Sequence, residues 1–283
     1  MTDIWVCGSC HSINRQRSKR CYKCGAEQAV AATGEMATHR QEQAIALRHV
    51  VAYRPAAALG LAAAIFLLGL AAVSIAEAIE SLRTSPLVLD QLDILKRTGR
   101  IDRAAFAALE DGAATIGLVR LAIILPTLVF FAAWLGRVVS NVPALGGGIP
   151  GTSPWRAFVT TLVPGLNLRT VPGVVQDVLY RLDPKAGGFF MIAIAWVGIV
   201  GSWIISVIAA RYLSARIFFD IGNATSLGEA VDSARGLVSA AFVIDIVTAV
   251  LTALGALVLI LVMIRIERRS YARDAEVRAA AGV

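Results

Sequence analysis

Cys7, Cys10, Cys21 and Cys24 are the four cysteines of the chain, set as two C-x2-C pairs with ten residues between them. Thiolates in this pattern close tetrahedrally on zinc, and four soft ligands leave no open position for water, so the chemistry is structural rather than catalytic. About 25 residues cannot bury a sufficient core, so the folding energy of such a zinc ribbon comes largely from its metal. Two disulfides are the competing reading. The paired knuckles, and the lack of a hydrophobic secretion segment in the polar first 25 residues, favour zinc. An enzyme is not expected, because His11, His39 and His49 all precede the first apolar run and no nucleophile–base pair or open metal site is visible.

The rest of the chain reads as membrane. Hydrophobic residues make up 57% and charged residues 17% of the sequence, against about 25% charged in soluble domains. The net charge of +7 suits either nucleic acid or an anionic membrane surface. Apolar runs at 55–76, about 115–138, 186–210 and 236–264 each meet the ~20 residues that a helix needs to cross a bilayer. Small residues such as Ala58, Ala62 and Gly69 allow helices to approach closely and would also permit oligomerisation. Three ionisable residues, Glu77, Arg120 and Asp245, fall inside or at the ends of these runs and are expected at similar depth in one leaflet. Arg120 is the expected cationic partner of Asp245, since an unpaired carboxylate in a membrane is costly.

Between the spans, Leu87, Val88, Leu92 and Leu95 share a helical face, Gly99 breaks it, and Asp102 is placed to cap a second helix with Ile101 and Phe106 as a staple. A small helical hairpin outside the bilayer is predicted there. Pro126 should kink the second span without preventing insertion. Pro, Gly and Asn interrupt every run across 143–184, so this stretch is predicted to lie at one membrane face. In its second half Val174, Val175, Val178, Leu179 and Leu182 form an apolar face opposite Gln176, Asp177, Tyr180 and Arg181, as in an interfacial helix. Four spans put both termini on one side, and that side collects 18 Lys and Arg against 9 on the other. The positive-inside rule then places both termini in the cytoplasm, where thiols stay reduced and available to zinc.

The predicted fold is an all-α polytopic membrane protein with four transmembrane helices, interfacial helices and a small N-terminal zinc ribbon. Its divisions are a ribbon at 1–26, a linker and basic juxtamembrane segment at 27–54, a membrane domain at 55–265 and a basic cytoplasmic tail at 266–283.

Two resemblances refine this. The pattern W-x-C-x2-C-x3-N-x6-C-x2-C, carried by Trp5, Cys7, Cys10, Asn14, Cys21 and Cys24, resembles the Ran-binding-protein (RanBP) type of zinc finger, whose members bind ubiquitin or single-stranded RNA. The resemblance implies the four ligands, the Trp and the Asn. Arg15 stands where the RNA binders carry a stacking aromatic, and Arg17 matches one of their base-reading arginines. His11-Ser12 stands where the ubiquitin binders carry Thr-Phe. The basic residues around Arg15 and Arg17 read either as phosphate contacts or as a solvated face. Further on, Arg137, Ser153-Pro154-Trp155, Val163-Pro164-Gly165-Leu166-Asn167-Leu168, Val171-Pro172, Val174-Val175-Gln176-Asp177-Val178-Leu179 and Asp183-Pro184 are similar to the bacterial membrane family called domain of unknown function 4328, over about residues 50–265. That likeness implies a multi-pass membrane domain.

The functional expectation is a membrane-anchored adaptor whose cytoplasmic ribbon binds a protein or single-stranded RNA. The alternative is a small transporter or channel that uses the polar groups in the spans.

Overall fold

The computed structural model describes residues 4–6, 13–15, 20–21 and 53–280, apart from 101, 164 and 185–187. The chain divides into two compact units, Met1–Gln43 and Ala44–Val283. In the first unit, β1 (Ile4–Val6) pairs antiparallel with β2 (Ile13–Arg15), Trp5 opposite Asn14. Cys21 is buried. Cys7, Cys10, Cys24, Arg17, the side chains of Trp5, Asn14 and Arg15, and the linker up to residue 52 lie outside the described residues.

The second unit is helical: α1 (Ala57–Thr98), α2 (Arg103–Asn141), α3 (Pro154–Leu162), α4 (Leu166–Leu182), α5 (Phe189–Trp196), a π-helical turn at Val197–Gly201, α6 (Ser202–Asn223) and α7 (Leu227–Ala280). Four of its helices are long and apolar enough to cross a membrane, at Ala57–Thr98, Ala114–Asn141, Phe189–Asn223 and Leu227–Ala280. Each predicted span falls on one of these helices, but the helices run well past them. The α1 helix has 42 residues, or about 63 Å, and α7 has 54, or about 81 Å, against ~40–45 Å for a whole bilayer.

The predicted helical hairpin forms here, turning between Thr98 and Arg103. Its arms are continuous with the first and second spans. Gly99 ends α1 in the left-handed conformation at φ 67°, which costs glycine nothing. The Asp102 carboxylate accepts the Ala104 N–H at 2.9 Å, as a cap should. The Ile101–Phe106 staple lies outside the described residues. Two ion pairs, Lys96–Asp232 and Arg235–Asp93, tie the end of α1 to the start of α7.

The third span is also longer than its uncharged core, running to Asn223 with Arg216 paired to Asp220 one turn on. The tail at 266–283 is α-helix through Ala280, with Ile266, Ser270, Asp274 and Val277 buried. That i, i+4, i+8, i+11 face was hidden in the sequence beneath five arginines between 265 and 278.

Residues 143–184 form no span. The apolar face predicted for α4 is buried in full, from Val174 to Leu182. The helix extends N-terminally well beyond that face, to Leu166, with Pro172 accommodated inside it. A proline deprives the carbonyl four residues back of its donor. Here the Trp196 indole N–H donates to that carbonyl, on Leu168, at 3.1 Å.

Candidate functional site

The core of the second unit is a sleeve of Leu, Val and Ala centred on Trp134 and Leu135, both at 0% exposure. Two groups of charged and polar side chains stand out on these helices.

The first comprises the three predicted intramembrane charges. The Arg120 guanidinium on α2 donates to Glu77 Oε2 on α1 at 2.7 Å. Asp245, on the exposed side of α7, is within electrostatic reach of both. The structure therefore brings the three together but corrects the pairing: Arg120 is committed to Glu77, not to Asp245. Glu77 closes the first span from the same end at which Arg120 opens the second, and their long side chains meet across the α1–α2 contact.

Removing one partner should leave the other poorly solvated. Glu77→Gln and Arg120→Gln are each expected to lower stability in detergent by about 1.5–3 kcal/mol, the range for hydrogen bonds to charged groups. The double variant should lose less than the sum, and Asp245→Asn should cost little. Additive losses in thermal unfolding would show the pair to be uncoupled.

The second group was not foreseen. The Trp134 indole N–H donates to Glu267 Oε1 at 2.7 Å, while Glu267 Oε2 and the Tyr53 hydroxyl are buried without a hydrogen-bond partner among the described residues. Burial, with the negative charge of Glu267 second, pushes the Tyr53 phenol up to about 12, so it remains a neutral O–H donor. One residue on, Arg54 is gripped by Asn141: its N–H donates to the Asn141 side-chain oxygen at 3.2 Å, and its carbonyl accepts from the side-chain nitrogen at 2.7 Å. These contacts fix the point at which the chain enters α1. A lone acid among arginines at 265–269 was the available signal for Glu267, since it follows buried Met263 by one turn.

Polar residues of α4 organise the neighbouring loop. Asp177 Oδ1 accepts from Arg181 at 2.8 Å, Asp177 Oδ2 accepts the Gly151 N–H at 3.0 Å, and Arg181 donates to the Gly147 carbonyl at 3.1 Å. The glycine-rich loop is thereby held as structure. The C-terminal part of α7 joins the same end, with Arg269 paired to Asp183 at 2.8 Å and Arg273 donating to the Leu182 carbonyl at 3.1 Å. Among the described residues no cluster of His, Cys, Asp and Glu is suited to a metal. Three of the four cysteines, Cys7, Cys10 and Cys24, fall outside that set.

Four apolar helices, charges paired between them and amphipathic helices packed beside them fit a polytopic helical membrane protein. Residues 97–268 match the family described as Domain of unknown function (DUF4328). The chain belongs to that family, over a stretch that begins later than the 50–265 expected from motif positions. No curated protein and no solved structure matches the chain.

Proposed function

We propose that the protein is a non-enzymatic membrane adaptor of the cell membrane, with both termini in the cytoplasm and a zinc ribbon that presents Trp5, Asn14, Arg15 and Arg17 to a cytosolic protein or single-stranded RNA. The observation that carries this reading is the division of the chain into a small unit bearing all four cysteines and a helical unit built to sit in lipid. The two hydrogen bonds that hold the Arg54 backbone to Asn141 at the mouth of α1 support it, because a tethered module needs a fixed anchor. The 18-to-9 excess of basic residues on the terminal side supports the orientation. The transporter reading draws on Glu77, Arg120 and Asp245. The Arg120–Glu77 ion pair favours a packing role for these charges.

The full-length protein and its Cys10→Ser/Cys24→Ser variant separate these readings. The wild type should hold one zinc per chain and co-purify a partner that the variant loses. After chelation, a membrane-impermeant thiol reagent should label it in inverted vesicles but not in intact cells. Stoichiometric zinc on the variant would refute the ligand set, and labelling of intact cells would refute the orientation. Ion flux that persists in liposomes without the ribbon would favour transport.

A further inference from the structure

The exposed side of α7 changes character along its length. Leu254, Leu261 and Ile264 are exposed apolar residues, and Arg265 and Arg268 continue the same face at three- and four-residue spacing. Facing Leu251 and Leu254 across a groove of about 350 Å³ are Phe190, Ile194 and Val197, a size within the ~300–1,000 Å³ of ligand sites. Gly198 and Gly255, where the two helices touch, form part of its lining. A second hollow, of about 340 Å³, is lined by Leu261, Ile264, Arg265, Arg268 and Arg269. Arg269 is paired with Asp183, whereas Arg268 is exposed and has no ion pair among the described residues. The basic hollow therefore keeps a net positive charge at the end of an apolar track. From Leu254 to Arg268 is fourteen residues, about 21 Å of helix, which equals one leaflet with its headgroup layer.

We propose that this track on α7 binds one anionic phospholipid, its phosphate held by Arg268 with Arg265 and its acyl chain lying along Ile264, Leu261 and Leu254 into the groove beside Ile194. The basic hollow lies about two turns along α7 from the apolar groove, so the two together complement both halves of such a lipid, and a zwitterionic headgroup carries no net negative charge for the arginines to attract. The arrangement sits on the membrane unit alone, independent of the ribbon and its partner.

The test uses the full chain in neutral detergent, with thermal unfolding read against added lipid. Long-chain phosphatidylglycerol should bind about tenfold or more tightly than phosphatidylcholine of the same chains. Arg265→Gln/Arg268→Gln should remove that preference, and Arg268→Gln alone should weaken it severalfold. Arg211→Gln, an exposed charge on α6, should leave it unchanged. Equal responses to the two long-chain lipids would overturn the proposal in favour of an unspecific lipid coat. Equal responses to dihexanoyl phosphatidylglycerol or inorganic phosphate would overturn it in favour of a plain phosphate site.

Discussion

Gly255→Leu is expected to yield almost no folded protein. A Cβ at this position would stand 2.8 Å from the Ile199 nitrogen, 2.9 Å from the Ala195 oxygen and 2.9 Å from the Gly198 carbonyl carbon. All three are backbone atoms, which no rotamer change can move aside. The converse holds at Gly198, whose Cβ would meet the Gly255 Cα at 2.6 Å and the Leu251 oxygen at 2.7 Å. In lipid, helices associate through close van der Waals contact and interhelical hydrogen bonds rather than through a hydrophobic drive. Here both occur together, because Ser202 and Thr252 share a buried hydrogen bond of 2.7 Å one turn from the glycines. Leucine should separate the π-turn from α7 and break that bond, costing more than the ~1–3 kcal/mol of ordinary overpacking. Gly222→Leu, whose Cβ would meet nothing within 4 Å, is the control. Size-exclusion profiles after stepwise heating would read the difference. A Gly255→Leu protein that elutes and melts like Gly222→Leu would refute the close crossing.

Trp134→Ala is expected to cost about 3–5 kcal/mol, as for a fully buried tryptophan. Its ring lies 5.5 Å from Phe131 between centroids and so close to α1 that a Cβ on Gly60 would meet it at 3.1 Å. Truncation opens a cavity and also orphans Glu267 Oε1, beside an Oε2 that already lacks a partner among the described residues. Trp134→Phe keeps most of the volume and isolates the second effect. Combining it with Glu267→Gln should recover part of its loss, since an amide is cheaper to bury than a carboxylate. Trp155→Ala, at 72% exposure, should be nearly neutral. Equal losses for Trp134→Ala and Trp155→Ala in chemical or thermal unfolding would show that Trp134 is not the keystone of the sleeve.

The spans were legible because uncharged length is a direct signature of insertion, and the buried face of α4 because its apolar residues keep helical spacing. The helix ends were not. At 77–98 the apolar run stops at Glu77, yet the helix continues, and α1 closes its far end through Asp93 and Lys96 to partners on α7, 142 and 136 residues away. Composition cannot report such pairings. The same limit hid the true partner of Arg120, because depth along each helix was readable but rotation about its axis was not. Glu77 and Asp245 were equally good by depth, and the α1–α2 packing decided for Glu77. At Pro172 a local rule misled, since the freed carbonyl is satisfied by a tryptophan 28 residues downstream.

The length of α7 has a mechanical meaning. At about 81 Å it protrudes from a bilayer of ~40–45 Å at both ends, latched near its start by Asp232 and Arg235 and near its finish by Arg269 and Arg273. The Arg235–Asp93 and Lys96–Asp232 latches lie about one turn apart along both helices, so sliding α7 by a turn would break both at once. Torque or thrust applied to one end is therefore delivered to the other through a single unbroken shaft, with no joint in the lipid to absorb it.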